Sequence, residues 1–148
     1  MPRGTWFSDF AVGQRFISVG RTVTEADVVI FAGLSGDYNP LHTDATFAAT
    51  TPFGQRIAHG MLSAAISTGL GQTLGIFEGT TLALMGQTFD YKGPVFFGDT
   101  IRLALTVASV KASSKGGRGV VVFESAVLKQ DDSAVITGTW TVLFADRA

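Results

Sequence analysis

The chain has no cysteine, so it can form neither a disulfide framework nor a thiolate metal site. Histidine is nearly absent too, at two residues in 148. Charged residues make up only 16% of the chain and sum to a net −1, against a hydrophobic fraction of 46%. No basic run is present, which argues against nucleic acid or an anionic membrane as partner. No apolar run approaches the roughly 20 residues that cross a bilayer. The opening MPRGTWFSDF lacks the apolar stretch of a secretory leader, so the expected protein is cytoplasmic. So little charge is a poor cover for a monomer's surface, and burial of an apolar patch against a second copy is expected.

What is present fits one domain over residues 1–148, without repeats or linkers. Gln14 to Thr24 is rich in β-branched and aromatic residues and reads as a strand. TEADVVIFAGLSG then reads as a helix capped by Thr24 and closed by Gly36, with Val28, Phe31, Ala32 and Leu34 on its inner face. DATFAATT forms a short helix capped by Asp44 and stopped at Pro52. His59 to Gly75 is long, apolar and rich in small residues, and is predicted to be a buried central helix. Four strand-like runs follow, separated by turns at Lys92 to Pro94, Gly98-Asp99, SSKGGRG and QDDS. The expected fold is α+β, an antiparallel sheet of about five strands around the long helix.

Two glycine-rich stretches carry little chemistry. GLGQTLG has the wrong spacing for a dinucleotide fingerprint and lies inside the helix pattern. SSKGGRG lacks phosphate-loop spacing and reads as a hairpin, although its Lys115 and Arg118 remain able to touch a phosphate.

The segment GDYNPLHTDATF is different, because it places Asp37, Asn39, His42 and Asp44 within eight positions in a charge-poor chain. A polar turn accounts for Pro40 and for Asp44 as a cap. It does not account for pairing Asp37 with His42, which suits acid/base chemistry. Asp37, His42, Asp44 and His59 are all residue types that bind metals, but no paired helical spacing is present and no metal is expected. No G-x-S-x-G elbow supports a serine nucleophile.

FAGLSGDYNPLHTDATFA together with IAHGMLSAA resembles the signature of the MaoC-like dehydratases, the R-specific enoyl-CoA hydratase (hydratase 2) family. Weaker agreement runs from about Val12 to Leu143 and includes YKGPVFFGDTI, while Arg56 stands where family members often carry proline. The resemblance implies a hot-dog fold, a dimer or dimer-based oligomer, and an acyl-CoA substrate with no separate cofactor. It also implies that Asp37 and His42 hold a water and add it to a trans-2-enoyl thioester, giving an (R)-3-hydroxyacyl-CoA. Asp37 would take the proton as oxygen attacks C3, His42 would deliver one to C2, and Asn39 would orient the pair. Thr68 is placed at the polar position of the central helix, with Ser67 as the near alternative.

A carboxylate of pKa near 3.9 is about 12 units too weak to deprotonate water outright, a gap of about 16 kcal/mol. Proton removal must therefore accompany attack, while the thioester oxygen gathers charge against fixed donors. The backbone N–H of Gly60 at the start of the central helix is the expected donor. His59 is expected to bind substrate or to anchor the loop at the helix start. Phe31, Met61 and Leu84 are expected to line an apolar acyl tunnel. The alternatives are a hot-dog thioesterase and a non-catalytic acyl-CoA-binding protein.

Overall fold

The computed structural model describes residues 3–148; Met1 and Pro2, at the front of the stretch tested for a leader, lie outside the described residues. The order is a 3-10 turn (Phe7–Asp9), β1 (Arg15–Ile17), β2 (Arg21–Thr22), α1 (Glu25–Ser35), α2 (Pro40–Thr43), α3 (Ala45–Ala48), α4 (Gly60–Thr73), β3 (Thr81–Tyr91), β4 (Thr100–Ala112), β5 (Arg118–Lys129) and β6 (Ala134–Ala145). The strands form one antiparallel sheet in the order β1-β4-β5-β6-β3, with β2 also paired to β4. The sheet is open, with β3 at one edge. Among the described residues, no helix is long and apolar enough to cross a membrane.

Helix α1 begins in a capping box: the Thr24 hydroxyl accepts from Asp27 N, and the Asp27 carboxylate accepts from Thr24 N. It ends at Gly36, whose φ of 76° is the left-handed conformation that glycine adopts without strain. Val28 and Ala32 are buried as expected, but Leu34 is 81% exposed and faces away from the core. Within one turn the helix period leaves Leu34 beyond the inward stripe. Asp44 caps α3 by accepting from Phe47 N at 3.0 Å.

The single strand expected over residues 14–24 is two short strands, because Ser18 to Gly20 step out of register between them. The Ser18 hydroxyl fills the break by accepting from Leu103 N. The stretch after α1 is not all loop either. Pro40 at the first helical position and the Asn39 side chain, which accepts from Leu41 N at 3.0 Å, start the short helix that carries His42.

Helix α4 lies across the concave sheet face, burying Leu62, Ile66, Ser67 and Leu70. Opposite them are Leu103, Leu105, Val121, Phe123, Trp140, Val142 and Phe144 in one continuous core. The sheet thus wraps a helix whose amino end opens beside α2, and this places the site.

Candidate active site

Asp37 leaves α1 on an exposed loop, and its position is set by neighbours within two residues. Its N–H donates to the Ser35 hydroxyl, and its carboxylate accepts from Asn39 N at 3.2 Å. Asn39 therefore works in two directions, orienting Asp37 through its main chain and starting α2 through its side chain.

His42 is buried, and its Nδ1 donates to the Ile57 carbonyl at 2.7 Å. A carbonyl can only accept, so the neutral ring carries its hydrogen on Nδ1 and leaves the Nε2 lone pair free. Ile57 is fixed from both sides, by its own N–H on Leu41 O and by a bridge to Phe96. The Phe96 turn is held in turn by Asp99, which accepts from Phe96 N at 2.8 Å, from Gln130 Nε2 at 2.7 Å and from Lys129 Nζ at 2.7 Å. Burial alone pushes the Asp99 carboxyl up, but the bonds from Gln130, Lys129 and Phe96, with the Lys129 charge, outweigh it and hold the group below its ordinary value.

His59 is the residue before α4 and is only 2% exposed. Its Nε2 donates to the Asp37 carbonyl at 2.9 Å, its ring stacks on His42, and Phe31 meets it edge-on at 5.0 Å. It ties the Asp37 loop to the helix start. Its Nδ1 is buried and, among the described residues, has no partner.

A carboxylate oxygen of Asp37 and one ring nitrogen from each histidine lie within 4.8 Å of one another. Two groups that each hold the same water at about 2.8 Å and a tetrahedral angle stand about 4.6 Å apart. A zinc ion would need donors converging at about 2.0 to 2.2 Å. Rings stacked with centroids 3.9 Å apart and planes only 27° apart direct their lone pairs alongside one another instead. The arrangement suits a shared water better than an ion.

Gly60 opens α4 beside this cluster, and its N–H has no acceptor within the helix. A Cβ there would sit 2.6 Å from the Tyr91 ring, so only glycine permits this approach. Gly60, Met61 and Tyr91 line a mouth of about 630 Å³. Thr68 and Leu84 line a smaller inner cavity of about 140 Å³, open to solvent on one side, with Gln72, Gln87 and Trp140, between α4 and β3. Phe31 lies on the other flank of α4, facing a groove of about 330 Å³. The structure thus spreads Met61, Leu84 and Phe31 over three concavities, and Thr68 borders two of them. Ser67 points into the core and donates to Ala64 O.

Ile57, Tyr91 and Trp140 were not singled out by the sequence. Ile57 acts through its main chain, which no residue type reveals, and the other two arrive from distant strands. Gln87 was also missed; its Nε2 is buried at the inner cavity without a partner.

A family model described as a MaoC like domain matches residues 9–128. The chain is similar to the (R)-specific enoyl-CoA hydratase of Rhodospirillum rubrum, with 41% identity over 111 residues that cover 74% of each chain. It is similar to the (R)-specific enoyl-CoA hydratase of Aeromonas caviae, with 35% identity over 128 residues, 86% of this chain and 90% of that one. Its fold matches the crystal structure of the MaoC-like dehydratase from Rhodospirillum rubrum with a TM-score of 0.86 at 29% identity, over 98% of this chain and 99% of that one. Sequence match, wrapped-helix architecture and the Asp37, His42 and Gly60 cluster converge on one conclusion: the chain belongs to the MaoC-like family.

Proposed function

We propose that the protein is an acyl-CoA hydratase and dehydratase, adding water reversibly to a trans-2-enoyl-CoA to give an (R)-3-hydroxyacyl-CoA. The observation that carries this reading is the Asp37 and His42 spacing beside the free Gly60 N–H. Asp37 accepts a proton as the water oxygen attacks C3. His42, with Nδ1 bound to Ile57, holds the water through its Nε2 lone pair, receives on that nitrogen the proton taken up by Asp37 and delivers it to C2, so that both groups return to their starting state. The charge that builds on the thioester oxygen is met by the Gly60 N–H at the positive end of a 14-residue helix. The similar proteins from Rhodospirillum rubrum and Aeromonas caviae, both (R)-specific enoyl-CoA hydratases, support the same reaction.

The inner cavity sets the acyl group. At about 140 Å³ it is close to the size of a cavity that holds one benzene, so a short acyl chain fits it. In this reading Thr68 and Leu84 contact the far end of that chain, and Met61 lies beside Gly60 at its thioester end.

The working form in this reading is a homodimer. Among the described residues β3 pairs only with β6, and its free edge displays Leu82, Leu84 and Met85, a long apolar edge suited to pairing with a second copy.

Purified protein given crotonyl-CoA is expected to remove the enoyl absorbance without releasing free thiol. Thiol release would favour the thioesterase alternative. Binding without turnover across a panel of enoyl-CoAs of varied length would favour a non-catalytic acyl-CoA-binding protein.

A further inference from the structure

Toward the opposite end of β3 from the active site, the β4–β5 hairpin gathers positive charge that the proposed reaction does not use. Among the described residues, Arg21, Arg56, Arg102, Lys129 and Arg147 are held in ion pairs. Lys111, Lys115 and Arg118 instead converge on one groove of about 670 Å³ whose lining contains no carboxylate. The nearby Asp146 carboxylate is turned to the main-chain N–H groups of Ser8 and Arg147. The groove also has an apolar shelf, where Met85, Val120 and Leu143 lie side by side on the sheet face away from α4. Three cations around an apolar shelf suit a ligand that joins phosphates to a flat base.

We propose that this groove binds the phosphate-bearing adenosine end of the acyl-CoA whose thioester reacts in the other copy of the dimer. The inference rests on the acyl-CoA reading above. Within one chain the groove is out of reach. Arg118 lies opposite Ala145, whose N–H donates to Thr80 O, so the cationic end of the groove stands at the Thr81 end of β3, and its Met85 shelf reaches toward the middle of that strand. Gly60 abuts Tyr91 at the other end of this 11-residue strand, about 33 Å away at 3.3 Å per residue. The arm between thioester and diphosphate has about 13 bonds and spans about 16 Å when extended, judged by ordinary bond lengths. Antiparallel pairing of two β3 edges about a two-fold axis reverses this geometry. It sets the Thr81 end of one copy beside the Tyr91 end of the other. The arm then leaves one active site and turns round the hairpin end of its neighbour's sheet.

The test compares crotonyl-CoA with crotonyl-pantetheine, which lacks the nucleotide, in the wild type and in the triple variant Lys111→Ala, Lys115→Ala, Arg118→Ala. The hairpin is exposed, so folding is preserved. Expected is a KM for crotonyl-CoA about tenfold higher at unchanged kcat, with both constants for crotonyl-pantetheine unchanged. Equal losses on the two thioesters, or no loss on crotonyl-CoA, overturn the proposal.

Mixing the triple variant with Asp37→Asn and letting subunits exchange tests which copy is served. Service in trans restores about a quarter of wild-type activity at low substrate, and service within one chain leaves about a twentieth, which overturns the cross-subunit assignment. If the wild type hydrates neither thioester, the hydratase reading fails separately. Titration with adenosine 3′,5′-bisphosphate then decides the groove, with binding lost in the triple variant supporting it and equal binding overturning it.

Discussion

His42 and His59 stack with ring centroids 3.9 Å apart and planes inclined by 27°. Each ring commits one nitrogen to a main-chain carbonyl, His42 to Ile57 and His59 to Asp37, so both hydrogens are placed by backbone. The stack holds the His42 ring from its face while Ile57 holds it from its edge. His59 in turn carries the loop of Asp37, which makes the two proposed proton carriers one mechanical unit.

Replacing either carrier is expected to stop that unit. Asp37→Asn and His42→Ala should each lower kcat on crotonyl-CoA by at least about 10². Asp37 is exposed, so Asp37→Asn should leave the melting temperature nearly unchanged, separating chemistry from folding.

Gly60→Ala is expected to push the Tyr91 ring and the helix start apart, because the new Cβ would lie 2.6 Å from that ring. Loss of the aligned N–H should cost about 10² in kcat. Steady-state kinetics should show Tyr91→Ala in the same chain recovering part of the rate.

The buried contacts of Asp99 predict an acid limit. Its folded carboxyl titrates below its ordinary value, so its contribution to stability is complete above about pH 4 and is lost as pH falls through the folded pKa. Thermal melts from pH 6 down to pH 2.5 should show the wild type losing stability more steeply than Asp99→Asn. Lys129→Met strands the carboxylate and should cost about 3 kcal/mol at neutral pH by denaturant melts.

Trp140→Leu enlarges the inner cavity that its ring lines. The kcat/KM ratio of octenoyl-CoA to crotonyl-CoA should rise, while stability falls by about 2 kcal/mol because the ring is buried.

Leu82→Asp places a charge on the free edge of β3, where Leu82 is 53% exposed. Sedimentation should show the wild type at twice the chain mass and the variant shifted toward the monomer.

The parts of this structure that were legible in the sequence are those decided by near neighbours. Thr24, Asp27 and Gly36 bound α1, Asp44 starts α3, and Asp37 with His42 falls within six residues, so local chemistry reveals them. The break between β1 and β2 escaped notice because a hydroxyl from Ser18 repairs it on Leu103, 85 residues away. Leu34 was misplaced because apolar character alone does not tell an inward stripe from an outward one. The walls of the inner cavity were legible in part: Thr68 and Leu84 were read as substrate contacts, whereas Gln87 and Trp140 join them only after three separate elements have packed.

The acceptor that fixes the hydrogen of His42 is the carbonyl of Ile57, and every amino acid brings the same carbonyl. No point substitution at position 57 can delete it. What can be lost is the path of the chain, which depends on Leu41, Phe96 and, behind Phe96, Asp99. The bond to His42 is thus indifferent to which buried apolar side chain stands at position 57, while the feature that must be inherited is a turn some forty residues further on.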